Sequence, residues 1–277
     1  MIKIAVIGMV GNSAFLSVDE FHKGGETLTA KNFHLEPGGK GYNAAVAARR
    51  MGAEVSFLAA VGKEGFEDIS AFTKNEGING FFVKKKGPSA YATILTNASG
   101  ENHVTVFRGE SLNDGDLDLF EEEIKTADIL LLNNEVPETV NIKAIKLAKK
   151  YGVYVILNPA PYRELDSYIL ENVDLFTPNE HETKGLEQKQ NLIVTLGKKG
   201  ALIKEQNIII EKFNAGETVD TTGAGDTFNG VLAYEIANKK DIVSATKTAI
   251  KVSGIKVTKK YAAGGIPTKE EIEKYEN

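Results

Sequence analysis

The chain contains no cysteine and no tryptophan, and among its 277 residues only 4 histidines and 7 prolines. Without thiols there can be no disulfide, thiolate zinc site, iron–sulfur cluster or cysteine nucleophile. The histidines, His22, His34, His103 and His181, are scattered without ligand spacing, so no metal site is expected from them. No apolar run approaches the ~20 residues that cross a bilayer, and the amino terminus runs straight into a strand-like segment without a signal-peptide pattern. The 33 basic and 38 acidic side chains leave a net charge of −5 and form no basic stripe. Neither nucleic acid nor a membrane is an expected partner. The expectation is a soluble, cytoplasmic protein.

What is present is apolar and regularly spaced. Hydrophobic residues make up 42% of the chain, enough for a full core, and the length suits one large domain over 1–277. Short runs rich in Val, Ile and Leu predict strands at Ile2–Val6, Val55–Ala60, Ile129–Leu132, Val153–Leu157, Asp174–Phe176 and Leu192–Thr195. Consecutive apolar positions are the mark of strands buried on both faces. Helical periods lie between them at Gly41–Met51, Phe66–Asn75, Glu138–Tyr151 and Gly225–Asn238. This alternation predicts a three-layer α/β/α sandwich with a mostly parallel central sheet. Two segments, 17–35 and 89–108, break the rhythm with alternating residues and turn signals. Tyr91–Thr96 and His103–Arg108 read as a hairpin turning at 97–100, part of a small separate sheet over one edge of the main one. The charged end, Thr268–Asn277, reads as a peripheral helix.

Two local patterns carry chemistry. The first is Asp220-Thr221-Thr222-Gly223-Ala224-Gly225-Asp226, entering an apolar helix. Three small residues at a helix start allow a tight turn with several N–H groups aimed one way, an anion hole for phosphate oxygens. Asp226 then sits at its mouth. The plain alternative is an acidic first-turn residue that only complements the helix dipole. It is not a Walker motif, because the Gly-Lys-Ser/Thr ending is absent. The second pattern, Pro37-Gly38-Gly39-Lys40-Gly41-Tyr42-Asn43, suggests a backbone that a ligand approaches closely, with Asn43 offering both donor and acceptor to a polyol. An ordinary glycine-rich loop with a solvated lysine would read the same way.

Both patterns, in this order, resemble the two signatures of the ribokinase-like (PfkB) carbohydrate kinases. Leu157-Asn158-Pro159-Ala160-Pro161, Thr177-Pro178-Asn179-Glu180, Thr195-Leu196-Gly197 and Asp226-Thr227-Phe228-Asn229-Gly230 are also similar to segments of these kinases, in the expected order and spacing. The resemblance covers nearly the whole chain and implies an ATP-dependent sugar kinase acting on a primary hydroxyl. It makes Asp226 the general base and Gly223, Ala224 and Gly225 the anion hole. Ser13, Gly39, Lys40, Gly41, Asn43 and Glu135 would face the sugar. Asn179, Thr195, Gly197, Gly200 and Gly225 would meet ATP, and Glu182 would reach Mg²⁺ through water. A K⁺-like ion is implied near Asp220 and Thr222, with carbonyls of Lys256, Lys259, Tyr261 and Gly265. The family also implies that segments 17–35 and 89–108 form a lid and pair two copies into a homodimer.

Three features depart from the family. Its sugar-binding aspartate falls on Ser13, and the preceding asparagine on Gly11, which puts ribose itself in question. Only nine residues separate Glu182 from Leu192, so one peripheral helix is expected to be missing. The loop Arg108-Gly109-Glu110-Ser111 is more charged than its counterparts. A nucleoside or modified-sugar kinase therefore stays open, as does a binding protein that has lost catalysis.

Overall fold

The computed structural model describes residues 1–99 and 101–275. Gly100 in the expected hairpin turn and the last two residues of the expected terminal helix lie outside them. In chain order the strands and helices begin β1 Lys3–Ile7, β2 Gly11–Ser17, β3 Asn32–Gly38, α1 Lys40–Met51, β4 Glu54–Val61, α2 Phe66–Asn75 and β5 Asn79–Lys84. They continue with β6 Ala90–Thr96, β7 Asn102–Phe107, α3 Glu121–Thr126, β8 Ile129–Asn133, α4 Glu138–Tyr151, β9 Tyr154–Asn158 and α5 Ser167–Asn172. The last are β10 Leu175–Phe176, β11 Ile193–Thr195, β12 Ala201–Ile203, β13 Ile208–Ile210, α6 Ala224–Ala237, α7 Ile242–Lys256 and α8 Lys269–Glu273.

Six strands form a parallel sheet in the order β10-β9-β8-β1-β4-β5. A parallel bridge from Phe176 to Leu192 leads on to an antiparallel trio, β11-β12-β13. The central strands are apolar along most of their length because their side chains feed two cores alternately. Ile4 and Val6 of β1 join α1, α6 and α7 on one face, while Ala5 and Ile7 join α3, α4 and α5 on the other. The expected three layers are therefore present. Helices α1 and α6 pack closely: a β-carbon on Gly230 would collide with the Ala44 carbonyl. Only glycine permits that approach, which sets the amino ends of α1 and α6 side by side.

A second sheet, β3-β2-β6-β7, stands apart. Its strands differ from the expected segments. The first pair is β2 and β3, flanking 18–31, which contains no strand. Gly11–Ser17 is buried at Gly11, Ser13, Ala14 and Phe15 and half-buried elsewhere, so it lacks the polar alternation that marks a one-sided strand. The β6–β7 hairpin is close to its expected position. Residues 183–191 hold only turns, consistent with a helix missing from that stretch.

Candidate active site

Ligand sites in open parallel sheets form beyond the carboxyl ends of the strands, and the chemistry-bearing residues gather there. Gly39 enters α1 with φ 125°, and a β-carbon would strike the Met9 carbonyl, so the turn requires glycine. Helix α1 has no side-chain cap of its own. Its first amide, Lys40 N–H, instead donates to Oε2 of Glu135 at 2.8 Å, from the loop after β8. Glu135 is held from behind, its own N–H donating to Asn133 Oδ1 at 2.9 Å. Burial, and then the negative charge of Asp226, push the Glu135 carboxyl up to about 7, against the pull of Lys40.

Asp226 lies in the first turn of α6 and is 7% exposed. Its Oδ2 accepts from Asn43 Nδ2 at 2.8 Å, and its Oδ1 lies 3.7 Å from the Lys40 ammonium. Asp226 is the largest cause holding Lys40 above the usual lysine range. Asn43 Oδ1 is buried without a partner. A buried orphan acceptor is costly, and a ligand hydroxyl donating to it would remove that cost.

A cavity of about 250 Å³ opens between the two sheets, lined by Ser13, Gly39, Lys40, Asn43, Glu135, Thr222, Gly223 and Asp226 with β6 and β7 residues opposite. Gly41 sits buried one residue inside α1. At the α6 end, the Ala224 N–H is taken by the Thr221 carbonyl at 3.1 Å. The remaining first-turn amides, those of Gly225 and Asp226, have no helical acceptor. They are available to an anion, with the helix dipole behind them. A second cavity of about 310 Å³ shares Met9 and Glu135 with the first and is lined by Arg108, Gly109, Glu110, Ser111 and Arg163.

The residues expected to meet nucleotide form a separate group. Asn179 and Thr195 face one another in a parallel bridge. Gly197 and Gly200 flank the turn beyond β11, with φ of 53° and 100°. Asn179 and Glu182 bind reciprocally, Asn179 Nδ2 donating to Oε1 at 2.8 Å and its N–H to Oε2 at 3.0 Å. The carboxylate keeps lone pairs for the waters of a Mg²⁺ ion. No cluster of three ligating side chains occurs among the described residues. Both facts suit an ion carried mainly by nucleotide phosphates.

The residues expected around a monovalent cation do not fit one, because the Lys256 ammonium stands among them. Asp220 Oδ1 and Oδ2 accept from the Thr222 and Tyr261 N–H groups at 2.8 and 3.0 Å. The Asp220 carbonyl accepts from Lys256 Nζ at 2.9 Å, so a buried ammonium already stands there. The Lys256 carbonyl is taken by the Lys259 N–H at 2.9 Å, and the Lys259 side chain pairs with Glu271.

Glu36 went unflagged in the sequence. It is 5% exposed on β3, and its oxygens accept from Ala262 N–H at 2.8 Å and Gly264 N–H at 2.9 Å. His34 stacks on Tyr261 beside it, centroids 3.8 Å apart. A carboxylate next to Pro37-Gly38-Gly39 was the one available signal.

A buried carboxylate beside the open amino terminus of a helix, at the end of a parallel sheet, is the arrangement of a phosphoryl-transfer enzyme acting on alcohols. The chain belongs to the pfkB family of carbohydrate kinases, matching it over residues 1–269. It is 33% identical over 292 residues to a ribokinase of Lactococcus lactis, covering 98% of this chain and 96% of that one. It is 34% identical over 300 residues to a deoxyribokinase of Salmonella typhi, covering 98% of each. The solved ribokinase of Thermotoga maritima superposes with a TM-score of 0.88 at 30% identity, covering 100% of both chains.

Proposed function

We propose that the chain transfers the γ-phosphoryl group of ATP to the primary hydroxyl of a small sugar, as a kinase of ribokinase type. The observation that carries this is Asp226, buried, paired with Lys40 and Asn43, and next to the free amides of α6. ATP would lie along Asn179, Thr195, Gly197 and Gly200, its terminal phosphate at the α6 amides. The acceptor would lie between Asn43, Lys40, Glu135 and Ser13. As the sugar oxygen bonds to phosphorus and the bond to ADP breaks, Asp226 takes the hydroxyl proton. The α6 amides and the Lys40 ammonium stabilise charge on the transferring group. Bound to the phosphates, Mg²⁺ would add positive charge there, with Glu182 holding one of its waters.

Residues 1–277 act in this reading as one kinase domain, with the β3-β2-β6-β7 sheet as a lid over the sugar. Its outer face presents Phe33, Leu35, Tyr91 and Phe107, each at least 37% exposed, which supports pairing of two copies through the lid. The lack of cysteine and the use of ATP favour the cytoplasm. The second cavity, beyond Glu135, favours one alternative: an acceptor larger than a bare pentose, such as a nucleoside or modified sugar. Release of ADP, followed across a panel of pentoses, hexoses and nucleosides, tests both readings. A preferred acceptor with turnover well above ATP hydrolysis is expected, and no acceptor-dependent ADP from any compound would overturn the proposal.

A further inference from the structure

Lys256 closes helix α7 with its side chain wholly buried, at 0% exposure. Lysines are almost never fully buried unless paired, because an ammonium loses its hydration. Burial indeed pushes this one below the usual lysine range, while Asp220, Glu36 and Asp226 oppose the shift. Its hydrogen-bond acceptor is the backbone carbonyl of Asp220 at 2.9 Å, not a carboxylate. The ideal β-carbon position of Gly265 lies 3.2 Å from Cε of Lys256, 2.6 Å from the Lys260 carbonyl and 2.8 Å from the Tyr261 carbonyl. The lysine stem therefore passes beside Gly265, near the carbonyls of Lys260 and Tyr261, and its ammonium ends on the carbonyl of Asp220. Such a nest suits a bare monovalent cation, and here the chain supplies the positive charge itself.

The surroundings tie that charge to the reacting end of the molecule. The Val257 carbonyl, at the carboxyl end of α7, accepts from Val219 and Asp220 N–H groups at 2.7 and 3.1 Å. Asp220 in turn fixes Thr222, the residue before Gly223 and the first turn of α6. A cation at a helix carboxyl end is favourable, and this one also steadies the loop that presents the anion-binding amides.

We infer that the ammonium of Lys256 takes the place of the monovalent cation that its family implies at this loop, so that the enzyme needs no K⁺. Lys256 acts as a positioning residue: it orders residues 220–223 and places a fixed positive charge behind the α6 amides. The activity arm of the test rests on the kinase reading above; the melting arm does not.

The wild-type protein and Lys256→Met are compared in KCl and in tetramethylammonium chloride, each at a constant ionic strength of about 0.1 M. Thermal melting of the wild type is expected to be the same in both salts. In Lys256→Met the nest is vacated of charge, so K⁺ but not tetramethylammonium should raise the melting temperature, saturably. The smaller Lys256→Ala, which leaves more room, serves if the methionine fills the nest. ADP release with the best acceptor of the panel should be salt-independent in the wild type. In the variant it should fall about 10²–10³-fold in tetramethylammonium, the loss typical of removing a preorganised charge or donor from such a site, and recover in K⁺. A K⁺-specific rise in wild-type melting or turnover overturns the inference by itself, even if neither variant folds. Variants with unchanged turnover and no cation response overturn it too. Absence of acceptor-dependent ADP in every salt would instead sink the kinase reading, with the melting comparison still deciding the role of Lys256.

Discussion

Aspartate in place of Ser13 would restore a carboxylate to the acceptor cavity at the position where the chain departs from its family. Ser13 is 8% exposed, and on β2 it stands opposite Glu36 and Ala92. Its hydroxyl fills the space that a β-carbon on Gly38 would take, and the side chain borders the cavity, into which a longer one can extend. A carboxylate accepting from two neighbouring sugar hydroxyls forms charge-assisted bonds worth roughly 1.5–3 kcal/mol each. Against that gain stands repulsion from Glu36 directly across the strand pair and from Asp226 and Glu135 in the same cavity, offset by Lys40. If one bond's worth survives, affinity for the transition state rises about tenfold to over a hundredfold. The assay is kcat/KM for ribose and for 2-deoxyribose, in wild type and Ser13→Asp under identical conditions. The wild type should use ribose weakly, and the variant should gain on ribose more than on the deoxy sugar, which offers one hydroxyl fewer. Efficient wild-type ribose phosphorylation, or equal gains on both sugars, would refute the reasoning.

Asp226→Asn should keep nucleotide affinity, read by ADP titration calorimetry, while kcat falls about 10²–10⁴-fold, the usual cost of losing a general base. Glu135→Gln should remove an ionisation near pH 7 from the pH profile of kcat/KM, because Glu135 carries a carboxyl raised to about 7. Stability follows the same group: native Glu135 holds its proton up to about pH 7, whereas the unfolded chain releases it near the ordinary glutamate value of 4.5. Its contribution is therefore fully present below that lower value and lost as pH rises through 7, and the variant's melting curve should decline less across this window. Phe33→Glu, on the outer face of the second sheet and 64% exposed in the single chain, should turn a dimer into a monomer by light scattering at micromolar concentration while leaving the monomer folded.

The central sheet was legible because burial on both faces writes itself into the sequence. Val55, Phe57 and Ala59 serve one core, and Leu58 and Ala60 the other, so β4 is apolar at every one of these positions. The tight turn that enters α6 was equally plain, since small residues make it; anion binding there is the proposal made above. Less visible were the strands of the second sheet. Gly11–Ser17 carries no alternation because it lies between two partner strands and packs on Tyr261 and Ala262 through Phe15. The short β12 and β13, three residues each, hold too few positions for any period to register. The burial of Lys256 was hidden for a different reason. It is one of four lysines within Lys251–Lys260, and nothing local tells the buried one from its solvated neighbours.

Glu36 has a mechanical corollary. Its carboxylate fastens one corner of the second sheet to the 262–264 loop, while β7, at the opposite edge, has no buried residue along its length. Phe15 and Ile94 add an apolar contact to Tyr261 and Ala262 beside that clamp, so in the lid reading proposed above the β7 edge is the part of the sheet with least to hold it. The clamped loop also holds Asp220 through the Tyr261 N–H, so a continuous chain of hydrogen bonds joins the second sheet to the turn before α6. With the acceptor and nucleotide placed as proposed above, that chain would let occupancy of one half of the cleft stiffen the other. A kinase built this way would waste little ATP on water while its sugar is absent.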